Sequence, residues 1–255
     1  RSNRQWKVGR FPFPKVVYNR CYGTNEPLIE RIGATIGNDR CFNHINRLNK
    51  LDVYSHLSRW LADYLPDTRV YDADNAIPML DRYKVVYFKP CCGHKGKGVY
   101  RAELKGTGEI LLGHHYFLPK TIVTNASSLM DNVRELIGDT PYIMQQGIAF
   151  RRVNGSIFDI RALVQKNEKG QWSVTNLVSR IAFAASYNTS IFVKACLSQD
   201  VLKRLYPARQ VNAITESIYS ISLRTAETLD MNTDYHLGEF SVDIALDNDG
   251  YPWII

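Results

Sequence analysis

Val85-Val86-Tyr87-Phe88-Lys89-Pro90 leads through Cys91-Cys92 into Gly93-His94-Lys95-Gly96-Lys97-Gly98 and then Val99-Tyr100. The first six residues read as a buried strand that delivers one amine, Lys89, to a fixed place. The next stretch reads as a flexible loop with three glycines and two further lysines. Pliable backbone N–H groups beside clustered ammonium charges suit a polyphosphate. The competing reading is an exposed hairpin, with glycines serving the turn and lysines serving solubility. A short Gly/Lys motif does not decide between them by itself.

Composition narrows the field. A chain of 255 residues that is 45% hydrophobic has enough apolar material for one or two folded domains. With 22% charged residues it lacks the character of a disordered segment. A net charge of +7 and an isoelectric point near 9.1 permit an anionic partner: nucleotide, nucleic acid or acidic metabolite. The basic residues are spread along the chain without a long block, which discounts nucleic acid as the main partner. The cysteine count is odd (Cys21, Cys41, Cys91, Cys92, Cys196) and no C-x-x-C pair occurs. That argues against a disulfide framework or a zinc site, and for a reduced, cytoplasmic setting. Cys91-Cys92 reads as a pair of small buried side chains, with redox sensitivity as the alternative. No apolar stretch approaches the roughly 20 residues that span a bilayer, and no signal peptide is visible. The missing initial Met and the apolar run stopping at Ile255 read as cut ends.

Residues 1–48 read as an N-terminal remnant of strand and loops. A helix is expected from Lys50 to Tyr64, with Leu51, Tyr54, Leu57, Trp60 or Leu61, and Tyr64 or Leu65 on one face, closed by Pro66. Strands follow at Val85–Phe88, Gly98–Leu104, Glu109–Leu112 and Ile122–Thr124. A helix from Ser128 to Ile137, capped by Ser127 or Ser128, precedes a strand at Tyr142–Gln146. Ser156–Lys166 and Trp172–Ala182 flank Asn167-Glu168-Lys169-Gly170, a hairpin signal. A long helix from Ala208 to Leu229 and a terminal hairpin around Asp247-Asn248-Asp249-Gly250 complete the chain. Strands and helices do not alternate as βαβ units, so the expected class is α+β, two lobes with mostly antiparallel sheets.

Several chemistries are excluded. G-x-x-x-x-G-K-[ST], H-R-D, D-F-G, G-x-S-x-G and H-E-x-x-H are all absent, and a protein kinase places its glycine loop before the strand lysine. His114-His115 reads as a surface pair. In the last long strand Glu239, Ser241, Asp243 and Ala245 share a face. Asp243 among apolar neighbours needs a metal, a salt bridge or a hydrogen-bonded edge. Glu239 lies roughly 13 Å farther along an extended strand, too far to chelate the same ion. Asp159 and Arg161 share a face and either pair with each other or point into a cleft where the Arg161 fork meets phosphate. Arg180 ends the next strand and joins them. Gln145 and Gln146 either read an adenine edge or simply end a strand.

Taken in order, these residues resemble the ATP-grasp superfamily and, within it, the YheC/YheD family of endospore coat-associated proteins. The resemblance rests on Val17–Arg20, Asn49–Tyr54, Leu65–Thr68, Phe88–Pro90 with Gly93–Gly98, Tyr142–Ile148, Phe158–Arg161 through Asn167, Trp172–Thr175, Arg180–Ala182, and Gly238–Glu239 through Ile244. It implies a first lobe over 49–144, a second over 145–255, and a nucleotide clamped between them. Lys50 and Lys89 become the nucleotide lysines, and Gly93, Lys95, Gly96, Lys97 and Gly98 the loop that closes over the phosphates. Gln145, Gln146 and Ile148 form the adenine hinge, with Asp159 also at the nucleotide. Arg161 and Arg180 face the phosphate or acyl phosphate, and Asp243 is the first Mg²⁺ carboxylate. The family places a Glu-x-Asn metal pair just after a strand like Trp253–Ile255, where this sequence stops. The loop Ala185–Ser190 lacks the paired glycines of the family pattern. The implied activity is an ATP-dependent carboxylate–amine ligase working through an acyl phosphate on small-molecule or peptide substrates. The alternative is a non-catalytic, spore-associated scaffold retaining the fold.

Overall fold

The computed structural model describes residues 8–21, 26–45, 47–93, 95–114 and 121–255. His94 and the His114-His115 side chains lie outside what is described. The chain divides into two compact units: one runs to residue 46 and includes Thr233–Gly238, and the other holds residues 47–232 and 239–255. In the smaller unit, β1 (Val17–Tyr18) pairs in parallel with β2 (Cys41–Phe42), with α1 (Glu26–Ile36) between them in sequence. Asn43 organises this unit. Its carbonyl accepts from Asn19 Nδ2 at 3.1 Å, its amide donates to His236 O at 3.0 Å, and its Oδ1 accepts from Gly238 N at 2.8 Å.

The larger unit begins with α2 (Lys50–Leu61), whose N-cap Asn49 accepts from Leu51 N at 2.9 Å. Leu57 and Leu61 are buried and Trp60 is exposed, so the helix turns Leu61 inward. Then come β3 (Thr68–Val70), α3 (Ala73–Tyr83), β4 (Val85–Pro90), β5 (Tyr100–Leu104), β6 (Ile110–His114), β7 (Thr121–Val123), α4 (Ala126–Ile137) and β8 (Tyr142–Gln146). The strands form a six-stranded antiparallel sheet in the order β3-β8-β4-β5-β6-β7. The α4 cap is Asn125, which accepts from Ser128 N at 2.8 Å, rather than a serine. Strand β4 alternates strictly. Val86 and Phe88 enter a core with Ala102, Leu112, Leu129, Val133 and Met144. Val85, Tyr87 and Lys89 face the other way.

The second sheet contains β9 (Arg152–Val153), β10 (Ser156–Lys166), β11 (Trp172–Ala182), β12 (Phe192–Leu197), β13 (Glu239–Leu246) and β14 (Pro252–Ile254). Its order is β12-β11-β10-β13-β14, with β9 on β10, and every pairing is antiparallel. Asn167 Oδ1 shapes the β10–β11 turn by accepting from Lys169 N at 2.9 Å and Gln171 N at 3.0 Å. Asp247 Oδ1 does the same for the β13–β14 turn, accepting from Asp249 N and Tyr251 N at 3.0 and 2.9 Å. Helices α5 (Ser198–Leu205) and α6 (Ala208–Asn232) cover one face. There Phe158, Ile160, Ala162 and Val164 meet the α6 stripe of Ile214, Ile218 and Ile221. The opposite face carries Asp159, Arg161 and Asp243. The class is α+β, as the absence of βαβ alternation indicates.

Phe88→Ala is expected to cost about 3–5 kcal/mol, because a fully buried ring leaves a cavity among packed neighbours. Ile122→Ala, at a position 62% exposed, is expected to stay within about 0.5 kcal/mol. Urea unfolding of the two variants checks the contrast.

Candidate functional site

Lys89 and Lys50 arrive from different elements. Lys89 projects from the non-core face of β4, and its Nζ donates to Gln145 Oε1 at 2.6 Å. Gln145 is held in turn by donating from Nε2 to Thr68 Oγ1 at 3.0 Å. Lys50 opens α2. Its backbone N donates to Cys91 O at 2.9 Å and its Nζ to Pro90 O at 2.8 Å. A Cβ on Gly93 would come 3.7 Å from that ammonium, so Lys50 sits at the root of the glycine loop. The two ammonium groups feel one another. Burial, and then the Lys50 charge, push Lys89 down to about 8, against the pull of Asp243. Burial also lowers Lys50, opposed by the neighbouring Cys92 and Cys91 thiols.

The glycine loop is built for close approach. Gly98 has φ +70°, and a Cβ there would lie 2.7 Å from Tyr142 Oη, so a side chain at this position meets both strain and a clash. Lys95 and Lys97 are exposed on the loop. Cys91 is buried, but Cys92 is exposed, so only the first of the two cysteines is the buried side chain expected of both.

Across the second sheet a chain of ion pairs runs from strand to strand. Arg161 on β10 and Asp243 on β13 are register partners, and the guanidinium grips both carboxylate oxygens at 2.7 Å. Asp159 on β10 and Arg180 on β11 are register partners too, and form a second fork. Arg180 also reaches Asp243 at 3.0 Å, and Thr189 Oγ1 donates to Asp159. The acid and base on β10 therefore do not pair with each other. Each pairs across to a neighbouring strand. Asp159 is 1% exposed. Burial raises its pKa, the Arg180 guanidinium opposes this, and the Asp243 charge adds to the rise. Burial also pushes Asp243 upward, but Arg161 and Arg180 together outweigh it and hold that carboxyl below the ordinary range.

The structure thus brings Lys50, Lys89 and Gln145 together at the loop root, with Asp243 close enough to act on Lys89. It joins Asp159, Arg161, Arg180 and Asp243 into one network. It separates Gln146, whose Oε1 accepts from Asp67 N at 3.1 Å beside β3. Asp159, expected at the nucleotide, is a buried partner for Arg180. Asp243, expected as a metal ligand, already accepts from two guanidiniums. Among the described residues no group of three His, Cys, Asp or Glu side chains forms a metal cluster. A Mg²⁺ ion carried by a nucleotide takes one or two carboxylates plus phosphate oxygens, and the carboxylates of this network, Asp159 and Asp243, are both engaged by guanidiniums.

A cleft of about 750 Å³ is lined by Gly147–Phe150 together with Val85, Tyr87, Arg101, Glu103, Arg151, Ile157 and Tyr187, among others. Of the expected site residues only Ile148 lines it. The Tyr87 ring stands at its edge, with Lys89 Nζ 5.9 Å from the ring centroid. Lys50, Lys89, Arg161 and Arg180 are not among the residues that line it. Tyr87 shares the Lys89 face at two residues' distance, a signal the strand period carried. Tyr187 and Thr189 lie in a loop that offers no such signal.

A family model described as YheC/D-like ATP-grasp matches residues 38–255. The chain belongs to the YheC/D-like ATP-grasp family. It is 25% identical over 263 residues to the endospore coat-associated protein YheD of Bacillus subtilis (strain 168), covering 98% of this chain and 57% of YheD. It is 22% identical over 274 residues to YheC of the same organism, covering 100% of this chain and 72% of YheC. The chain therefore spans little more than half the length of YheD. N5-carboxyaminoimidazole synthetase from Staphylococcus aureus, complexed with ADP, superposes at a TM-score of 0.49 and 12% identity, over 81% of this chain and 43% of that one.

Two outcomes are expected. The folded Lys89 loses its proton near pH 8, whereas the unfolded chain holds it to the ordinary 10.5. Unfolding therefore takes up a proton across that window, and stability rises with pH there. Lys89→Met is expected to abolish that rise, read from urea midpoints measured across the window. Asp159→Asn removes one of the two carboxylates that hold Arg180, leaving Asp243, and is expected to cost about 1.5–3 kcal/mol. The double change Asp159→Leu/Arg180→Met is expected to recover much of that loss in the same assay.

Proposed function

We propose that this chain binds ATP and activates a carboxylate for capture by an amine. The observation that carries the reading is the meeting of two lysine ammoniums, Lys50 and Lys89, at the root of a glycine loop. Burial makes that arrangement costly without an anion, and a triphosphate supplies the missing charge. Exposed Lys95 and Lys97 extend the positive field along the loop. Val85, Tyr87, Ile148 and Ile157 in the hinge cleft offer walls for a base one tyrosine ring away from Lys89.

In the proposed reaction a carboxylate oxygen of the acid attacks the γ-phosphorus. The bond to the bridging oxygen breaks and ADP departs. The amine nitrogen then attacks the acyl carbon, phosphate leaves with its electron pair, and the nitrogen gives up a proton. The lysines neutralise charge on the transferred phosphoryl group. Arg161, 43% exposed at its side chain, and Arg180, held by Asp159, are the cations across the sheet available to the phosphoryl oxygens. No protein nucleophile is needed. The substrates are a small-molecule or peptide acid and amine. A second reading, a nucleotide-binding scaffold without turnover, is favoured by the closed Arg161–Asp243–Arg180 contacts, which leave the arginines engaged.

Calorimetry with MgATP tests the first step. Triphosphate binding is expected to return a proton to Lys89, so titrations above pH 8 in buffers of different ionisation enthalpy show proton uptake. Lys89→Met is expected to lose that uptake and to weaken binding roughly tenfold or more. Equal affinity and equal uptake in the variant defeat the assignment. ADP release that depends on both an added acid and an added amine separates ligase from scaffold.

A further inference from the structure

The loop Phe183–Ser190 follows β11 in the second sheet, yet it is fastened to the first. Tyr187 is 6% exposed, and its hydroxyl donates to Val99 O at 2.9 Å, one residue beyond the glycine loop. Tyr87 Oη, from the Lys89 face of β4, donates to Tyr187 O at 3.1 Å. The Tyr187 ring lies over Gly113 on β6, where a Cβ would sit 3.2 Å from Cε1. Two residues on, Thr189 donates to Asp159, the buried partner of Arg180. The residue between Tyr187 and Thr189, Asn188, is held at both ends: its O accepts from Ser186 Oγ at 2.8 Å and its Oδ1 from Ser190 N at 3.0 Å, while Ala185, just ahead of Tyr187, takes the left-handed φ of +65°.

From these contacts we infer that Tyr187 is a positioning residue that couples the glycine loop to the arginine network. Displacing Val99 pulls on Tyr187. The short segment to Thr189 carries that pull to Asp159 and so to Arg180. A movement of the glycine loop and the orientation of Arg180 become one event. Gly113 is the position that makes room for the ring. The mechanical link stands on the contacts alone. Only the claim that nucleotide drives it rests on the function proposed above.

Hydrogen exchange read by mass spectrometry on the full chain tests both halves. Without ligand, Tyr187→Phe keeps the ring and removes one hydrogen bond. Exchange is expected to rise roughly 2- to 12-fold, the range one such bond represents, in peptides covering both 183–190 and 99–104, with β13 unchanged. Tyr87→Phe is expected to loosen the same loop from its other anchor. No change in 183–190 in either variant overturns the fastening. With saturating MgATP, wild type is expected to gain protection in 183–190 along with the glycine loop. In Tyr187→Phe the glycine loop gains it alone. Protection that spreads equally in the variant overturns the coupling. If MgATP protects nothing in wild type, the nucleotide reading fails, and the ligand-free comparison still decides the fastening.

Discussion

Two ammonium groups held side by side and partly out of water repel, and much of this molecule is organised to tolerate that repulsion. The alternation of β4 fixes Lys89 opposite a packed core, so the side chain cannot retreat without disturbing Val86 and Phe88. The Asn49 cap fixes the start of α2, and with it Lys50. What relief exists is local and polar: Gln145 accepts from one lysine, the Pro90 carbonyl accepts from the other, and Asp243 acts at longer range. Burial and the remaining repulsion between the two ammoniums together lower the Lys89 pKa to about 8.

The second sheet solves the opposite problem. Its buried carboxylate and guanidinium groups are arranged so that no charge lacks a counterpart, and the register of antiparallel strands does the matching. Asp159 finds Arg180, and Arg161 finds Asp243, because those residues stand directly opposite one another. Forked geometry then locks each guanidinium in place. The arginines gain fixed orientation, and each aspartate gains a cation.

The strand and helix periods made the main elements legible. Lys89 on β4, the α2 stripe, the β10–β11 hairpin and the α6 stripe all follow from spacing of apolar residues. Helix α3 did not show because Asp72, Asp74, Asn75 and Pro78 read as turn residues, while Ala76, Met79 and Leu80 form its buried stripe. Its Asp72 cap explains the polar start. The acid–base partners were legible as a set but not as pairs, since partner choice depends on register between strands distant in sequence. Sequence placed Gln145 and Gln146 together, although alternation sends one to Lys89 and the other to Asp67. Tyr187 was invisible for a different reason: a loop side chain takes its meaning from whatever surface it lands on.

The Arg161–Asp243–Arg180–Asp159 network contains as many positive as negative groups, so its field cancels beyond short range. A diffusing polyanion therefore feels little of it from afar. Long-range guidance falls to Lys95 and Lys97 on the exposed loop, and bulk salt screens that guidance. The ionic environment screens the exposed lysines, while the paired arginines and aspartates, held by short forked contacts, feel it far less.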